Sequence, residues 1–140
     1  MEIKEGIEKG FLQEVELDEK LVKKELDESE YDKEKAAKAF EEEDFKWSIV
    51  KNYYAMFHAA RAILFKLGLR EKRHFVISVV LEDLSKKGKL EQNFVDYFNA
   101  AISFREDADY HYSYSKESAL HILEIAEEFN DRMKKLVEAL

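Results

Sequence analysis

The sequence predicts an all-α protein, an antiparallel up-and-down bundle of about four or five main helices joined by short loops. Three observations lead to this prediction. The 140 residues include no proline and four glycines, so residues that interrupt helices are nearly absent. Apolar residues recur at helical spacing along most of the chain. No part of the sequence predicts a ladder of strands.

The first 17 residues are expected to form a lead-in to a single helical domain over 18–140. Residues 2–9 have apolar residues at helical spacing, and Gly10 ends that turn. Apolar and polar residues then alternate loosely over 11–17, which predicts an extended segment.

The domain is expected to begin with a helix that Asp18 caps at its N-terminus. The polar segment 27–32 predicts a break or a kink in this helix. The apolar pattern resumes at Ala36 and ends near Asp44.

The strongest helical pattern covers Phe45 to Leu67, and Gly68 is well placed to end that helix. At 1.5 Å per residue the helix would be about 35 Å long, so it is predicted to be the central helix of the bundle. Its aromatic residues Tyr53, Tyr54 and Phe57 are assigned to the core, since aromatic side chains at helical spacing usually pack there.

The second half of the chain predicts three further helices after a basic loop with Arg70, Lys72, Arg73 and His74. They are expected over about 76–84, over Leu90 to Arg105, and from a cap at Ser115 to the end of the chain.

Composition excludes several classes of function. A net charge of −8 argues against broad, non-specific binding of nucleic acids but leaves room for a local basic site. The sequence has no cysteine, no metal-ligand spacing and no glycine-rich nucleotide loop, so no metal and no cofactor are expected. His58 and Arg61 interrupt the longest apolar run, so no membrane span is predicted. We expect a cytoplasmic protein.

Two sequence motifs resemble the HEPN domain family. The first is YYAMFHAARAILFKLGL with the basic loop that follows it, and the second is FREDADY before the last helix. The resemblance covers roughly residues 18–135 and is strongest to the small stand-alone prokaryotic proteins of the UPF0332 branch. It implies a helical bundle that pairs as a homodimer, often beside a nucleotidyltransferase partner in a toxin–antitoxin system.

Many members of this family carry an Arg and a His, separated by four to six residues, that cleave RNA without metal at the dimer interface. Arg105 and His111 match that spacing. The residue types suit the chemistry, because histidine titrates near neutrality and arginine offers a planar fork to phosphate oxygens. The resemblance therefore implies that Arg105 and His111 are catalytic.

An alternative interpretation makes His111 incidental. Some members have only the run Arg-x-x-x-Asp-Tyr, which Arg105, Asp109 and Tyr110 also match. Tyr112 and Tyr114 flank the position of a tyrosine that the partner modifies in the toxin branch. They are interpreted either as stacking surfaces for a base or as interface residues.

His58, Arg61 and His74 complete the set of candidate site residues. His58 and Arg61 are about one helical turn apart. We expect them either to form a buried polar network with a carboxylate such as Asp107 or Asp109, or to contribute to the same cleft. His74 belongs to the basic loop, which is either a phosphate contact or a solvated helix end.

Three functions remain open from the sequence alone. The first is a toxin that acts as a metal-independent endoribonuclease with a nucleotidyltransferase as its antitoxin. The second is a non-catalytic HEPN module that binds such a partner or a nucleotide through the same cleft. The third is a helical interaction protein whose tyrosine-rich stretch forms a dimer interface.

Overall fold

A computed structural model describes all of residues 1–140 as six helices and one two-stranded antiparallel sheet. The helices are α1 (Ile3–Glu8), α2 (Glu19–Glu41), α3 (Phe45–Lys66), α4 (Phe75–Lys86), α5 (Gln92–Tyr110) and α6 (Lys116–Ala139). The strands are β1 (Leu12–Glu14) and β2 (Leu69–Glu71). The predicted all-α class is confirmed, with the sheet as a small addition.

Helix α3 is the centre of the bundle, and α2, α5 and α6 pack around it. It begins at Asp44, whose carboxylate accepts a hydrogen bond from the Trp47 amide, and Gly68 follows it with a φ of +71°. Four small side chains inside it are fully buried and allow close approach of the neighbouring helices: Ala55, Ala59, Ala60 and Ala62. The predicted span of this helix is confirmed to within one residue.

Helix α2 runs without interruption through the polar segment 27–32, so the predicted break was wrong. Glu28 and Glu30 are good helix formers, and Asp27, Glu28 and Tyr31 are exposed to water. Its buried member, Ser29, donates a hydrogen bond of 2.7 Å to the Ala55 carbonyl oxygen of α3. This hydroxyl therefore helps to hold α2 against α3.

The two short strands join the lead-in to the end of α3. Leu12 pairs with Glu71 and Glu14 pairs with Leu69. Leu12 and Leu69 are buried, which gives the pairing an apolar side. The expectation that no strands would pair was wrong here, although the extended segment predicted over 11–17 contains β1.

Helix α5 continues to Tyr110, so the predicted end at Arg105 was wrong. The chain turns directly afterwards, where the Asp107 carbonyl oxygen accepts hydrogen bonds from the amides of His111 and Ser113 at 3.2 and 2.8 Å. Ser115 then starts α6, and its side chain accepts a hydrogen bond from the Ser118 amide. The predicted cap of the last helix is confirmed.

Candidate functional site

Arg105 lies on α5 with its guanidinium among three tyrosine rings. Its central carbon is 5.7 Å from the ring centres of Tyr53 and Tyr54 and 5.3 Å from that of Tyr110. A side-chain nitrogen also donates a hydrogen bond of 3.3 Å to the Tyr54 hydroxyl. A guanidinium stacks favourably on aromatic faces while its charge remains available to an anion. The rings thus fix the orientation of this arginine.

Asp109 supplies the opposite charge one helical turn after Arg105. Its carboxylate lies 2.9 Å from the Arg105 Nε, although this N–H makes no well-aligned hydrogen bond. Burial alone would lower the pKa of the guanidinium, but Tyr54, Tyr110 and Asp109 outweigh it, so the pKa lies above its ordinary value. Arg105 is therefore a permanent cation at this position.

His111 is the first residue after α5, and its side chain is 67% exposed. Its Nδ1 lies 3.2 Å from Asp107, which leaves the other ring nitrogen without a partner in the chain. Tyr112 follows with a φ of +52° and is 78% exposed. A tyrosine rarely adopts this left-handed conformation, and residues held in such conformations cluster at functional sites.

The structure does not bring Arg105 and His111 together within one chain. Six residues on a helix turn through about 240°, so the two side chains leave α5 in different directions. Arg105 contacts α3, whereas His111 faces solvent beside Asp107. The tyrosines that neighbour His111 in the sequence, Tyr110, Tyr112 and Tyr114, are all exposed. We call residues 105–114 the α5 end.

His58 and Arg61 take part in a polar network, but with partners other than those predicted. His58 Nδ1 lies 2.6 Å from Glu25, and its Nε2 lies 3.6 Å from Asp32. Both carboxylates belong to α2. The expectation that Asp107 or Asp109 would pair with this histidine was wrong, since Asp107 contacts His111 and Asp109 contacts Arg105.

The hydrogen bond that His58 donates to the Glu25 carboxylate is the main reason that the pKa of His58 is raised above its ordinary value. Burial opposes this increase, and the charge of Asp32 adds to it. Burial also raises the pKa of the Asp32 carboxyl, against the attraction of His58. The imidazole is therefore held between two acids, in a geometry that favours its protonated form.

Arg61 extends this network to the sheet. Its Nε lies 3.1 Å from a Glu71 carboxylate oxygen, and a second nitrogen lies 3.8 Å from Glu25. The side chain of Glu71 is only 5% exposed. We call Glu25, Asp32, His58, Arg61 and Glu71 the α2–α3 polar network, because it joins these two helices and β2.

His74 lies at the start of α4, where its ring packs 4.9 Å from the ring of Phe57. Phe57 in turn lies 6.2 Å from Tyr54, the hydrogen-bond partner of Arg105. A line of aromatic contacts thus connects the basic loop to the α5 end.

Sequence reasoning missed several of these residues. Tyr54 was assigned to the core with Tyr53 and Phe57, but it is only half-buried and bonds Arg105, whereas the other two are buried. Glu25, Asp32 and Glu71 were not identified because their partners are distant in the chain. A usable signal existed for Glu71, which is the one acid within a basic segment.

Two further structural findings limit the types of site. No group of three or more His, Asp or Glu side chains is arranged to hold a metal ion. None of the helices combines the length and the apolar character needed to cross a bilayer.

Comparison with known proteins identifies the relatives of this chain. A UPF0332 protein of Archaeoglobus fulgidus is 32% identical over 104 residues, which covers 73% of this chain and 83% of the relative. Two proteins of Methanocaldococcus jannaschii carry the names "Putative toxin MJ0605" and "Putative toxin MJ0142". They are 30% and 26% identical to this chain, covering 72% and 69% of it and 77% and 67% of their own lengths.

The HEPN domain family matches residues 22–136, a range that begins in α2 and ends in α6. This range contains the α5 end and the whole α2–α3 polar network. The match agrees with the helical bundle and with the relatives described above. The chain is a member of the HEPN domain family.

Proposed function

We propose that this protein is the toxin of a two-component system, a metal-independent endoribonuclease that acts in the cytoplasm as a homodimer. The observation that carries the proposal is the α5 end, where an oriented arginine is followed in the chain by an exposed histidine and three exposed tyrosines. The names of the two M. jannaschii relatives support the toxin assignment.

The proposed reaction uses the RNA 2′-hydroxyl as the nucleophile. It attacks the adjacent phosphorus, the bond from phosphorus to the 5′ oxygen breaks, and a 2′,3′-cyclic phosphate and a 5′-hydroxyl form. One His111 removes the 2′ proton as a general base, and a second gives a proton to the leaving oxygen. Arg105 stabilises the charge that develops on the non-bridging phosphate oxygens.

Two copies of the chain are needed for this reaction. Within one chain His111 and Arg105 leave α5 in different directions, and each copy supplies one histidine only at this position. A two-fold axis at the α5 end would place both copies of each residue around one phosphate. Tyr110, Tyr112 and Tyr114 are the exposed aromatic residues available to form the interface or to stack on a base.

The direct test is digestion of RNA in the presence of a chelator. We expect the wild type to cleave RNA, and Arg105→Ala and His111→Ala to lose about a hundredfold or more of this activity. Mass spectrometry of the products should find 2′,3′-cyclic phosphate ends.

Matched controls are Arg132→Ala and His121→Ala. Arg132 pairs with Glu91, and His121 is an exposed α6 residue beside Phe104, so neither belongs to the α5 end. Both controls should retain activity. Cleavage that persists in Arg105→Ala and His111→Ala would remove these residues from the catalytic assignment.

A nucleotidyltransferase is the proposed antitoxin partner, with Tyr112 or Tyr114 as the group that it modifies. Both hydroxyls belong to exposed side chains, so a partner enzyme has access to them. Incubation with the partner and a nucleoside triphosphate should increase the mass of the chain by one or more nucleotidyl groups. Tyr112→Phe and Tyr114→Phe then identify the modified residue, and a mass unchanged in the wild type contradicts this assignment.

The second candidate function is a non-catalytic HEPN module that binds a nucleotidyltransferase or a nucleotide. The observation that favours it is the engagement of Arg105, which already contacts Asp109 and Tyr54. An arginine that stabilises the fold through these contacts needs no catalytic histidine. This function predicts that the wild type binds its ligand without cleaving RNA, so the digestion experiment separates the two candidates.

A further inference from the structure

The segment Arg70–Phe75, which we call the basic segment, is unusual in a chain with 31 acidic and 23 basic residues. It contains three cations within four residues, namely Arg70, Lys72 and Arg73. None of these three forms an ion pair within the chain. The other three arginines, Arg61, Arg105 and Arg132, all pair with carboxylates. The cations of the basic segment therefore remain available to an external anion.

The strand geometry of β2 exposes Arg70 and turns the one acid of the segment, Glu71, away from the cations. Side chains alternate along a strand, so Arg70 points outward between the buried residues Leu69 and Glu71. Glu71 is turned inward to Arg61. The residue opposite Arg70 on β1 is Gln13, which carries no charge to neutralise it.

The backbone of the basic segment is also fixed. The Lys72 amide donates a hydrogen bond of 2.9 Å to the Phe11 carbonyl oxygen, continuing the pairing of β2 with the lead-in. No side chain caps the start of α4, and the positive end of its helix dipole lies at this segment. Because the backbone at Lys72 is already held, binding needs to order mainly the side chains.

Exposed rings accompany the cations. His74 is exposed beside Phe57, and Phe75 is 49% exposed with its edge against Phe11 at a centroid distance of 5.2 Å. A surface that tracks a single nucleic-acid strand combines cations for the phosphates with aromatic rings on which the bases stack. An acidic protein surface would need only the cations.

The basic segment lies close to the α5 end in space, with the buried ring of Phe57 between them. The line from His74 through Phe57 to Tyr54 has ring-to-ring steps of 4.9 and 6.2 Å, and Tyr54 bonds Arg105. A single strand of a few nucleotides covers such a distance.

We propose that the basic segment is a second binding surface for single-stranded RNA, with Arg70, Lys72 and Arg73 on the phosphates and Phe75 stacked on a base. It would hold the strand while the α5 end acts on it. The proposal rests on the proposed function only in taking RNA as the ligand, since the binding surface needs no chemistry at His111.

The test measures the affinity for a fluorescein-labelled single-stranded RNA by fluorescence anisotropy, in a His111→Ala background that leaves the RNA intact. Neutralising three phosphate contacts with Arg70→Gln, Lys72→Gln and Arg73→Gln should lower the affinity about a hundredfold at 0.1 M salt. The slope of the logarithm of affinity against that of salt concentration should decrease by about 2. Phe75→Leu should lower the affinity at least about fivefold.

A matched control replaces three exposed lysines of α2 that also lack carboxylate partners, with Lys20→Gln, Lys24→Gln and Lys38→Gln. It changes the net charge equally and should change the affinity far less. Circular dichroism establishes that both triple variants are folded, as expected for exposed, unpaired side chains.

Equal affinity losses in the two triple variants would overturn the proposal, and so would an unaffected affinity in the basic-segment variant. Binding that needs the cations but not Phe75, and that polyglutamate competes for as well as RNA, would also overturn it in favour of an acidic protein partner. Failure of the proposed function is a separate result. In that case the wild type cleaves no RNA, while the triple variants still differ in RNA affinity.

Discussion

The α2–α3 polar network and the α5 end contain the same types of residue, an arginine and a histidine with carboxylates nearby, yet they differ in how these groups are held. In the network, the partners of His58 and Arg61 come from other elements of the fold, namely Glu25, Asp32 and Glu71. At the α5 end, Arg105 and His111 each pair with an acid of α5 that is four residues away in the chain.

This difference separates a structural role from a candidate functional role. A pair between distant elements stabilises the tertiary structure, and its loss leaves a charge in a place where water does not reach. A pair within one helix contributes little to tertiary stability and can be exchanged for a ligand. Residue type therefore does not distinguish the two regions, and neither does the exposure of the two arginines, 21% for Arg61 and 23% for Arg105, whereas the chain distance of the partner does.

The largest expected effect is that of Arg61→Ala on stability. This change leaves Glu71 nearly buried without a countercharge, which should lower the free energy of unfolding by about 3 kcal/mol in urea titrations. The double variant Arg61→Leu with Glu71→Leu should recover most of that loss, because it also removes the stranded acid. A loss below about 1 kcal/mol would mean that the network does not stabilise the fold substantially.

His58→Gln should reduce stability by about 2 kcal/mol at mildly acidic pH, since the charged hydrogen bond to Glu25 is lost. The folded protein raises the pKa of His58, so the stabilisation is complete below the unfolded value of 6.5 and disappears as the pH rises through the folded value. The pKa of Asp32 is also raised, but its effect on the pH dependence of stability begins near its unfolded pKa of 3.8.

Urea titrations at several pH values above about 6 measure the His58 contribution by itself. The wild type should lose stability with increasing pH across this window, and His58→Gln should be less sensitive to pH. Parallel curves for the two proteins would contradict the assignment.

Tyr112→Gly should raise the free energy of unfolding by up to about 1 kcal/mol, because glycine adopts a φ of +52° without the steric cost that tyrosine has. The same change removes an exposed ring from the α5 end and should reduce RNA cleavage. Tyr112→Phe separates the two effects, since it keeps both the ring and the backbone strain. A destabilised Tyr112→Gly would indicate that the ring is structurally required.

The smallest expected effect on stability is that of His111→Ala, within about 0.5 kcal/mol, because the side chain is largely exposed. Thermal unfolding should therefore find this variant as stable as the wild type even though cleavage is lost. A large destabilisation would assign His111 to the turn after α5 and not to chemistry.

The helices were predictable because their signals are local. Each signal lies within a few residues of the helix that it predicts. Examples are the apolar spacing of α3 and the N-cap residues Asp18 and Ser115, which start α2 and α6. The polar segment 27–32 misled the prediction, since its charged residues are compatible with an exposed helix. The same is true of residues 106–110, which continue α5.

The site was predictable only in part, because its pairings depend on distance in space. The candidate residues Arg105, Asp109 and Tyr110 are close in the chain, and the structure places them in contact. Nothing local to His58 indicates Glu25, and nothing local to Arg61 distinguishes Glu71 from any other acid. The strand pair β1–β2 has the same origin, since each strand has only three residues and its partner lies beyond α2 and α3.

The pairing of β1 with β2 also has a consequence for the order of folding. It closes a loop that contains α2 and α3, so its entropic cost decreases only after that helical hairpin has formed. We therefore expect the strands to pair late in folding. Substitutions at the paired residues Leu12 and Leu69 should then change the unfolding rate but hardly the folding rate, which corresponds to kinetic φ-values near zero. The basic segment would acquire its rigid form at this late step, so a chain that has made its helices but not its strands would present these cations only loosely.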